Sequence, residues 1–208
     1  MTATFINSFI LFFVTIDTIG NLPFFLSLTE GAKIKKRNQI ALKSIIIAFF
    51  IMITFAYLGR YLLEAIHVSL DSLKIAGGVI LMLLAIDILF EKRKIRREKR
   101  VEEALDEKNF EEIIDFHIAF TFIAGPSALT TIILLIGNYT NFPEFQIPVI
   151  LALVAALIVS LILMIRANFI IKYIPQQILH ATARVMAFIL AALATQFIID
   201  GIKASFNI

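Results

Sequence analysis

Two short segments of this 208-residue chain place polar and helix-breaking residues inside otherwise apolar runs. The first reads IDTIGNLPFF at residues 16–25, and the second reads IAGPSALTT at residues 123–131. A Gly or Asn followed by Pro often ends one helix and starts another, which leaves backbone N–H groups free at the new amino end. Such an end attracts anions, so both segments predict a binding site for a carboxylate.

Residues from both segments are expected to contact one solute. The backbone of residues 21–23 and 125–127 would receive the carboxylate, and amide and hydroxyl side chains would add hydrogen bonds. The predicted solute-binding residues are Gly20, Asn21, Leu22, Pro23, Gly125, Pro126, Ser127, Thr130 and Thr131.

Asp17 is the acidic residue that lies deepest within an apolar run. An aspartate at the centre of a bilayer costs about 2.5–3.5 kcal/mol on insertion scales, so its side chain should face a cavity. There it could carry a proton, ligate Na⁺ together with unwound backbone carbonyls, or cap the loose ends of a broken helix. We assign Asp17 an ion-coupling role and keep capping as the alternative.

Few residues in this chain could act as a catalytic nucleophile, a general base or a metal ligand. Cysteine is absent, and His67, His117 and His180 fall at the ends of apolar runs without metal-ligand spacing. We therefore expect no metal, no cofactor and no enzymatic activity. An intramembrane enzyme stays as an alternative, as does a structural or partner membrane protein that transports nothing.

The composition identifies the elements that must position these residues. Hydrophobic residues make up 60% of the chain, which contains 20 Phe and has a mean hydropathy of +0.91. Only helices and closed barrels satisfy their backbone in lipid, and the runs are too long and too uniformly apolar for barrel strands. We predict an all-α membrane protein, one integral membrane domain over residues 1–208. Its six transmembrane helices are expected at about 5–28, 40–59, 72–90, 117–137, 147–166 and 183–202.

The charged stretch at residues 91–115 divides the chain into two halves of three spans each, residues 1–90 and 116–208. Because three is odd, the second half enters the membrane from the opposite side, as in an inverted-topology repeat. The two helix-breaking segments occupy the first span of each half. Helices one and four are therefore predicted to be broken near the midplane, and residues 91–115 to form a cytoplasmic linker.

Basic residues predict the orientation. The loops after spans one, three and five hold most of the 19 Lys and Arg, whereas the other side has Arg60, Lys74 and Lys203. The positive-inside rule then places these three loops in the cytoplasm and both termini outside. The basic loops face anionic lipid, and no basic surface with interleaved aromatics indicates nucleic acid.

Small residues in spans three and six predict close helix packing. Span three carries IAGG at residues 75–78, and span six carries Ala187, Ala191, Ala192 and Ala194. Tight helix contact is the simple interpretation, and sliding of the broken helices along these faces is the alternative.

Four segments together resemble the MarC family of inner-membrane proteins. DTIGNLPFFLSLTEG at residues 17–31 is similar to the first signature of that family, and IAGPSALTT at residues 123–131 is similar to the second. Residues 75–87 and 184–202 resemble its third and sixth spans. Thr18 stands where the family usually has Pro, Ser127 where it often has Gly, and Ala187 where Gly is common.

The resemblance implies a six-helix fold of two inverted repeats, similar to the lysine-exporter class of transporters. It also implies small neutral amino acids as the substrate, as for some members of the family. We therefore predict a secondary transporter of a small polar solute in the cell inner membrane, driven by a proton or sodium gradient. Oligomeric state and transport direction are not predicted.

Overall fold

The computed structural model describes residues 1–90, 110–139, 142–173 and 176–206. Within these ranges the chain is helical and contains no strand. The helices are α1 (Thr2–Ile16), α2 (Thr18–Leu28), α3 (Ile34–Ala65), α4 (Leu70–Leu89), α5 (Phe110–His117), α6 (Pro126–Asn138), α7 (Pro143–Ile165), α8 (Ala167–Tyr173) and α9 (Gln176–Phe206). A π-helical turn at Ile118–Ile123 continues directly from α5.

Five helical segments of the described chain are long and apolar enough to cross a membrane. They are Thr2–Leu28, Ile34–Leu63, Leu70–Leu89, Pro143–Ile165 and Ala181–Phe206. The first of them joins α1 and α2. The segments Ile114–Ile123 and Pro126–Asn138 pass the same test together and are bent by 62°. An all-helical membrane protein is therefore confirmed, with five spans, or six when the bent pair counts as one.

The main hydrophobic core lies where helices from the two halves of the chain meet. Helix α1 packs against α7, and α3 packs against α5, the π-helical turn, α6 and α7. Fully buried side chains in this core include Phe12, Leu22, Met52, Ile132 and Leu153. A smaller cluster forms between α4 and α9 and includes Val14 of α1.

Helices α4 and α9 approach closely through small residues. A Cβ atom on Gly78 would lie 2.7 Å from the carbonyl oxygen of Ala194, and one on Gly201 would lie 2.8 Å from that of Asp71. These pairings run in opposite directions along the two helices, so α4 and α9 are antiparallel. The close packing expected of spans three and six takes the form of direct contact between them.

Most of the predicted charged linker, residues 91–115, lies outside the described residues, and residues 110–115 belong to α5. In the last turn of this helix, Asp115 forms an ion pair with Lys43 of α3, with 3.6 Å between Oδ2 and Nζ. Helix α5 and the connection after α2 therefore lie at the same end of the helix bundle. The guanidinium of Arg37 donates to the carbonyl of Thr29 there and so covers the carboxyl end of α2.

Candidate functional site

The first break in the helices falls at Asp17. Helix α1 ends at Ile16, and Asp17 adopts a left-handed backbone with φ 47° and ψ 52°. A left-handed backbone conformation costs free energy in residues other than Gly, so surrounding contacts must hold Asp17 in place. The Asp17 carboxylate accepts a long hydrogen bond of 3.4 Å from the Gly20 N–H and thereby caps α2. The structure thus gives Asp17 the capping role that was kept as the alternative.

Gly20 makes room for this cap. A Cβ atom at Gly20 would lie 2.4 Å from Oδ2 of Asp17, closer than two such atoms can approach. The glycine therefore serves to seat the carboxylate over the first turn of α2. This contact explains the glycine at position 20 without a role for its backbone N–H in binding a solute.

The predicted position of the first break was wrong by about one helical turn. We expected Asn21 to cap a new helix and the backbone of Asn21, Leu22 and Pro23 to receive a carboxylate. All three residues lie inside α2, and the Asn21 N–H donates to the Asp17 carbonyl at 3.1 Å. Pro23 has no N–H, and Leu22 is fully buried. This stretch of backbone consequently offers no free donors.

The side chain of Asn21 instead connects the two halves of the protein. Its Nδ2 donates to the carbonyl of Ile16 at 2.8 Å and to the carbonyl of Phe122 at 2.9 Å. The first acceptor lies at the end of α1, and the second lies on the π-helical turn. Asn21 is 7% exposed, and its Oδ1 is buried without a hydrogen-bond partner among the described residues.

The second break falls between the π-helical turn and α6. The turn ends at Ile123, Ala124 donates back to Ala119 at 2.7 Å, and α6 begins at Pro126 with Gly125 as its N-cap residue. Gly125 provides no side-chain cap, and the first backbone bond of α6 runs from Leu129 N–H to the Gly125 carbonyl. The N–H groups of Ser127 and Ala128 thus precede the hydrogen-bond ladder of the helix.

A second hydrogen bond joins the two breaks in the reverse direction. Ser127 Oγ, in the first turn of α6, donates to the carbonyl of Thr15 near the end of α1 at 3.2 Å. Asn21 and Ser127 therefore bind adjacent peptide units, 16 and 15. Each half of the chain uses a polar side chain just after its own break to satisfy backbone at the break of the other half.

Thr130 and Thr131 do not join this cluster in the way the sequence predicted. Thr131 is fully buried, and its hydroxyl donates to the Ser127 carbonyl within α6 at 2.8 Å. Thr130 faces α4, because its Cγ2 occupies the space beside Gly77. Neither threonine lines the small cavity that lies between α2 and the π-helical turn. Thr195 and Gln196, the polar residues inside span six, are exposed and bonded within α9.

A small cavity lies between α2 and the π-helical turn. The volume open to the centre of a water molecule is about 10 Å³, which is room for roughly one water. Its walls come from both halves of the chain and consist of Thr18, Asn21, Phe25, Ile118, Phe122, Ile123 and Met164.

Sequence reasoning missed the contribution of α7 to this site. Ser160 is 1% exposed, and its hydroxyl forms a hydrogen bond with the hydroxyl of Thr18. The hydroxyl of Thr18 therefore provides a polar link from α2 to α7 directly after the break at Asp17. A lone serine deep in an apolar span was the available signal.

The profile of the MarC family, described as an integral membrane protein family, matches residues 2–206. A UPF0056 membrane protein of Archaeoglobus fulgidus is 34% identical over 201 residues, covering 95% of this chain and 92% of the relative. A UPF0056 membrane protein of Methanocaldococcus jannaschii is 31% identical over 203 residues, covering 98% and 88%.

A bacterial relative, the UPF0056 inner membrane protein YhgN of Escherichia coli, is 27% identical over 198 residues, covering 95% of each chain. No solved structure matches the chain significantly. The resemblance drawn from the two signatures is confirmed over nearly the whole length. The chain belongs to the MarC family of integral membrane proteins.

Proposed function

We propose that this protein is a secondary transporter of a small polar solute, a neutral amino acid, which is exposed alternately to the two sides of the membrane. The observation that carries the proposal is the pair of reciprocal hydrogen bonds between the breaks, from Asn21 to Phe122 and from Ser127 to Thr15. Hydrogen bonds between two halves can open and re-form as the halves move, without covalent chemistry. Interrupted helices at the interface of two repeats are the usual place for a transporter's site.

The pairing of helices supports an inverted repeat. If spans one, two and three correspond to spans four, five and six, exchanging the halves maps the contact of α1 with α7 onto a contact between spans four and two. That contact exists between α6 and α3. The third and sixth spans exchange with each other, and α4 packs against α9 in antiparallel fashion. The two breaks then lie at related positions, near the middle of the membrane.

The small cavity fits an occluded or resting form of such a transporter. Its volume of about 10 Å³ is too small for an amino acid. Solute entry therefore requires α2 to move away from the π-helical turn, and the contacts to break are those made by Asn21. A site that is closed in one conformation and wet in another is what alternating access needs.

Asp17 is the residue that we propose for coupling to a proton or Na⁺. It is partly buried, it caps α2 at the first break, and its strained backbone would change if the break closed. A change in protonation or ion binding there would alter the cap and so bias the position of α2. Capping and coupling are then two aspects of one group.

We place the protein in the inner membrane with both termini outside, as the basic loops indicate. The Escherichia coli relative is named an inner membrane protein. The ion pair between Lys43 and Asp115 agrees with this arrangement, because it puts the loop after span one and the start of span four at the same end. Anionic lipid is the partner proposed for the basic loops.

Uptake into liposomes tests the function. Purified protein is reconstituted, a proton or sodium gradient is imposed, and entry of radiolabelled neutral amino acids is followed for the wild type, Asp17→Asn and Asp200→Asn. Asparagine is a good N-cap residue, so Asp17→Asn keeps the cap while removing the charge. Asp200, exposed on α9, is the matched control.

We expect the wild type and Asp200→Asn to accumulate one or more amino acids, and Asp17→Asn to exchange them without accumulation. Absence of both uptake and exchange for every neutral amino acid would overturn the transport function. Accumulation by Asp17→Asn at the wild-type level would overturn the coupling role alone.

A further inference from the structure

Asn21 lines the cavity at the breaks, and its oxygen is the side-chain polar atom that it has left for a ligand. Both protons of Nδ2 are used, one by the Ile16 carbonyl and one by the Phe122 carbonyl. Exchanging the amide oxygen and nitrogen would set Oδ1 against two carbonyl oxygens, so the orientation is fixed. The remaining atom, Oδ1, is buried, has no partner among the described residues, and belongs to a residue that lines the cavity.

A buried carbonyl oxygen without a partner costs stability, about 1–3 kcal/mol for a neutral group, and such an atom is suited to a ligand that brings a donor. A carboxylate has no proton to donate and would be repelled. The group recognised by Asn21 is therefore a hydrogen-bond donor or a cation. This reverses the assignment made from the sequence, which directed the first segment at a carboxylate.

The cavity walls distinguish between the two kinds of cation. Sodium needs several oxygen ligands, whereas the side-chain oxygens among the described lining residues are those of Asn21 and Thr18, and the Thr18 hydroxyl already pairs with Ser160. The rest of the wall is apolar and includes Phe25 and Phe122. Aromatic rings attract organic ammonium groups, and an ammonium bonded to one oxygen tolerates apolar neighbours better than Na⁺ does.

No residue that lines this cavity is acidic, so a bound cation has no counter-charge from the wall. A buried charge without compensation is costly, and the ligand must therefore bring its own negative group. The amino end of α6 can take that group, since Gly125 provides no side-chain cap there. This end is close by: Ser127 binds the Thr15 carbonyl, and Asn21 binds the next one.

Resting on the proposed transport function, we propose that the site takes a zwitterion in a fixed orientation. Its ammonium group donates to Asn21 Oδ1, and its carboxylate accepts from backbone N–H groups at the amino end of α6. A cavity with room for one water matches the ammonium head, and the carboxylate end requires α2 and the π-helical turn to separate. Solutes with only one of the two charges are rejected.

A matched ligand series tests the orientation on the wild-type protein. The thermal unfolding temperature of detergent-solubilised protein is measured against a panel of neutral amino acids. The amino acid with the largest shift is then compared with its N-acetyl derivative, its deaminated carboxylic acid and its decarboxylated amine. A ligand that binds only the folded form raises the unfolding temperature, so the shifts rank affinities. We expect a shift for the amino acid and affinities at least about tenfold weaker for the three analogues.

Two variants assign the preference to Asn21. Asn21→Ala removes Oδ1, so the preference for the amino acid over its N-acetyl derivative should be lost. Thr195→Ala, the matched control, removes an exposed hydroxyl that is bonded within α9 and should leave the discrimination against the N-acetyl analogue unchanged. Since the wild-type series stands alone, a variant that fails to fold does not remove the test.

Binding of the N-acetyl or deaminated analogue as tightly as the amino acid would overturn the orientation, and so would the absence of a shift with every amino acid. Failure of this inference is distinguishable from failure of the proposed function. Gradient-driven uptake of a solute without an ammonium group would support the transport function and refute the proposed binding of a zwitterion. A rise in unfolding temperature that is specific to zwitterions, without any uptake or exchange, would support the binding proposal and refute the transport function.

Discussion

Asn21 of α2 donates from one amide nitrogen to Ile16 of its own half and to Phe122 of the other half. A single side chain therefore satisfies backbone carbonyls at both helix breaks. Because both acceptors lie in the interior, the cost of losing this amide includes two carbonyls left without that donor.

We expect Asn21→Ala to lower the free energy of unfolding by about 2–4 kcal/mol, since an unsatisfied buried acceptor costs about 1–3 kcal/mol. Ser127→Ala should cost about 0.5–1.5 kcal/mol, the usual net value of one hydrogen bond. Titration of the purified protein with a denaturing detergent measures both. Thr195→Ala, at an exposed hydroxyl bonded within its own helix, is the control and should stay within about 0.5 kcal/mol. Equal costs for all three variants would contradict the linking role.

The cap on α2 gives a test by double substitution. Gly20→Ala places a methyl group against Oδ2 of Asp17 and should lower stability by about 1 kcal/mol, the value of an N-cap bond. In an Asp17→Ala background the same change meets no carboxylate. There it should raise stability by about 0.5–1 kcal/mol, because Ala favours helix over Gly. The same effect of Gly20→Ala in both backgrounds would show that the carboxylate does not occupy this place.

Two glycines distinguish rigid from adaptable helix contacts. Gly78→Ala would set its Cβ 2.7 Å from the Ala194 carbonyl oxygen, which belongs to the backbone of α9 and cannot move alone. Gly137→Ala would set its Cβ 2.8 Å from Cδ2 of Leu70, the end of a flexible side chain. We expect a loss of about 3 kcal/mol or more for Gly78→Ala and under about 1.5 kcal/mol for Gly137→Ala. Thermal unfolding in detergent ranks them, and the opposite order would refute close backbone packing of α4 on α9.

The predicted orientation can be measured directly, because the chain contains no cysteine. Lys36→Cys lies in the basic first turn of α3, and Ile66→Cys lies just beyond the other end of that helix; both native residues are exposed. In intact cells, a membrane-impermeant maleimide should label Ile66→Cys and not Lys36→Cys. Both should react after the membrane is permeabilised. Labelling of Lys36→Cys in intact cells would show that the basic loops lie outside the cell and would contradict the predicted orientation.

The spans were predictable because long apolar runs leave few alternatives in lipid. The place of the second break was also readable, since Gly125 and Pro126 are strong local signals. The first break was not readable to the residue. The left-handed conformation of Asp17 accompanies contacts made by distant parts of the chain, such as the bond from Asn21 to a carbonyl 101 residues away.

The same reason explains the residues that were missed or misplaced. Ser160 meets Thr18 across 142 residues, and no local pattern encodes that contact. Thr130 and Thr131 looked equivalent as neighbouring hydroxyls, yet successive residues on a helix point about 100° apart. One faces α4, and the other bonds within α6.

The hydrogen bonds that Asn21 and Ser127 make at the two breaks all end on main-chain oxygen, at Thr15, Ile16 and Phe122. A main-chain acceptor is supplied by every amino acid, so evolution can vary those three positions while the junction survives. The two donor positions are more restricted, because only a polar side chain of suitable length reaches the carbonyl oxygen of the other half. Mutational tolerance is thus divided unequally over this junction: it is broad where the oxygen is provided and narrow at Asn21 and Ser127.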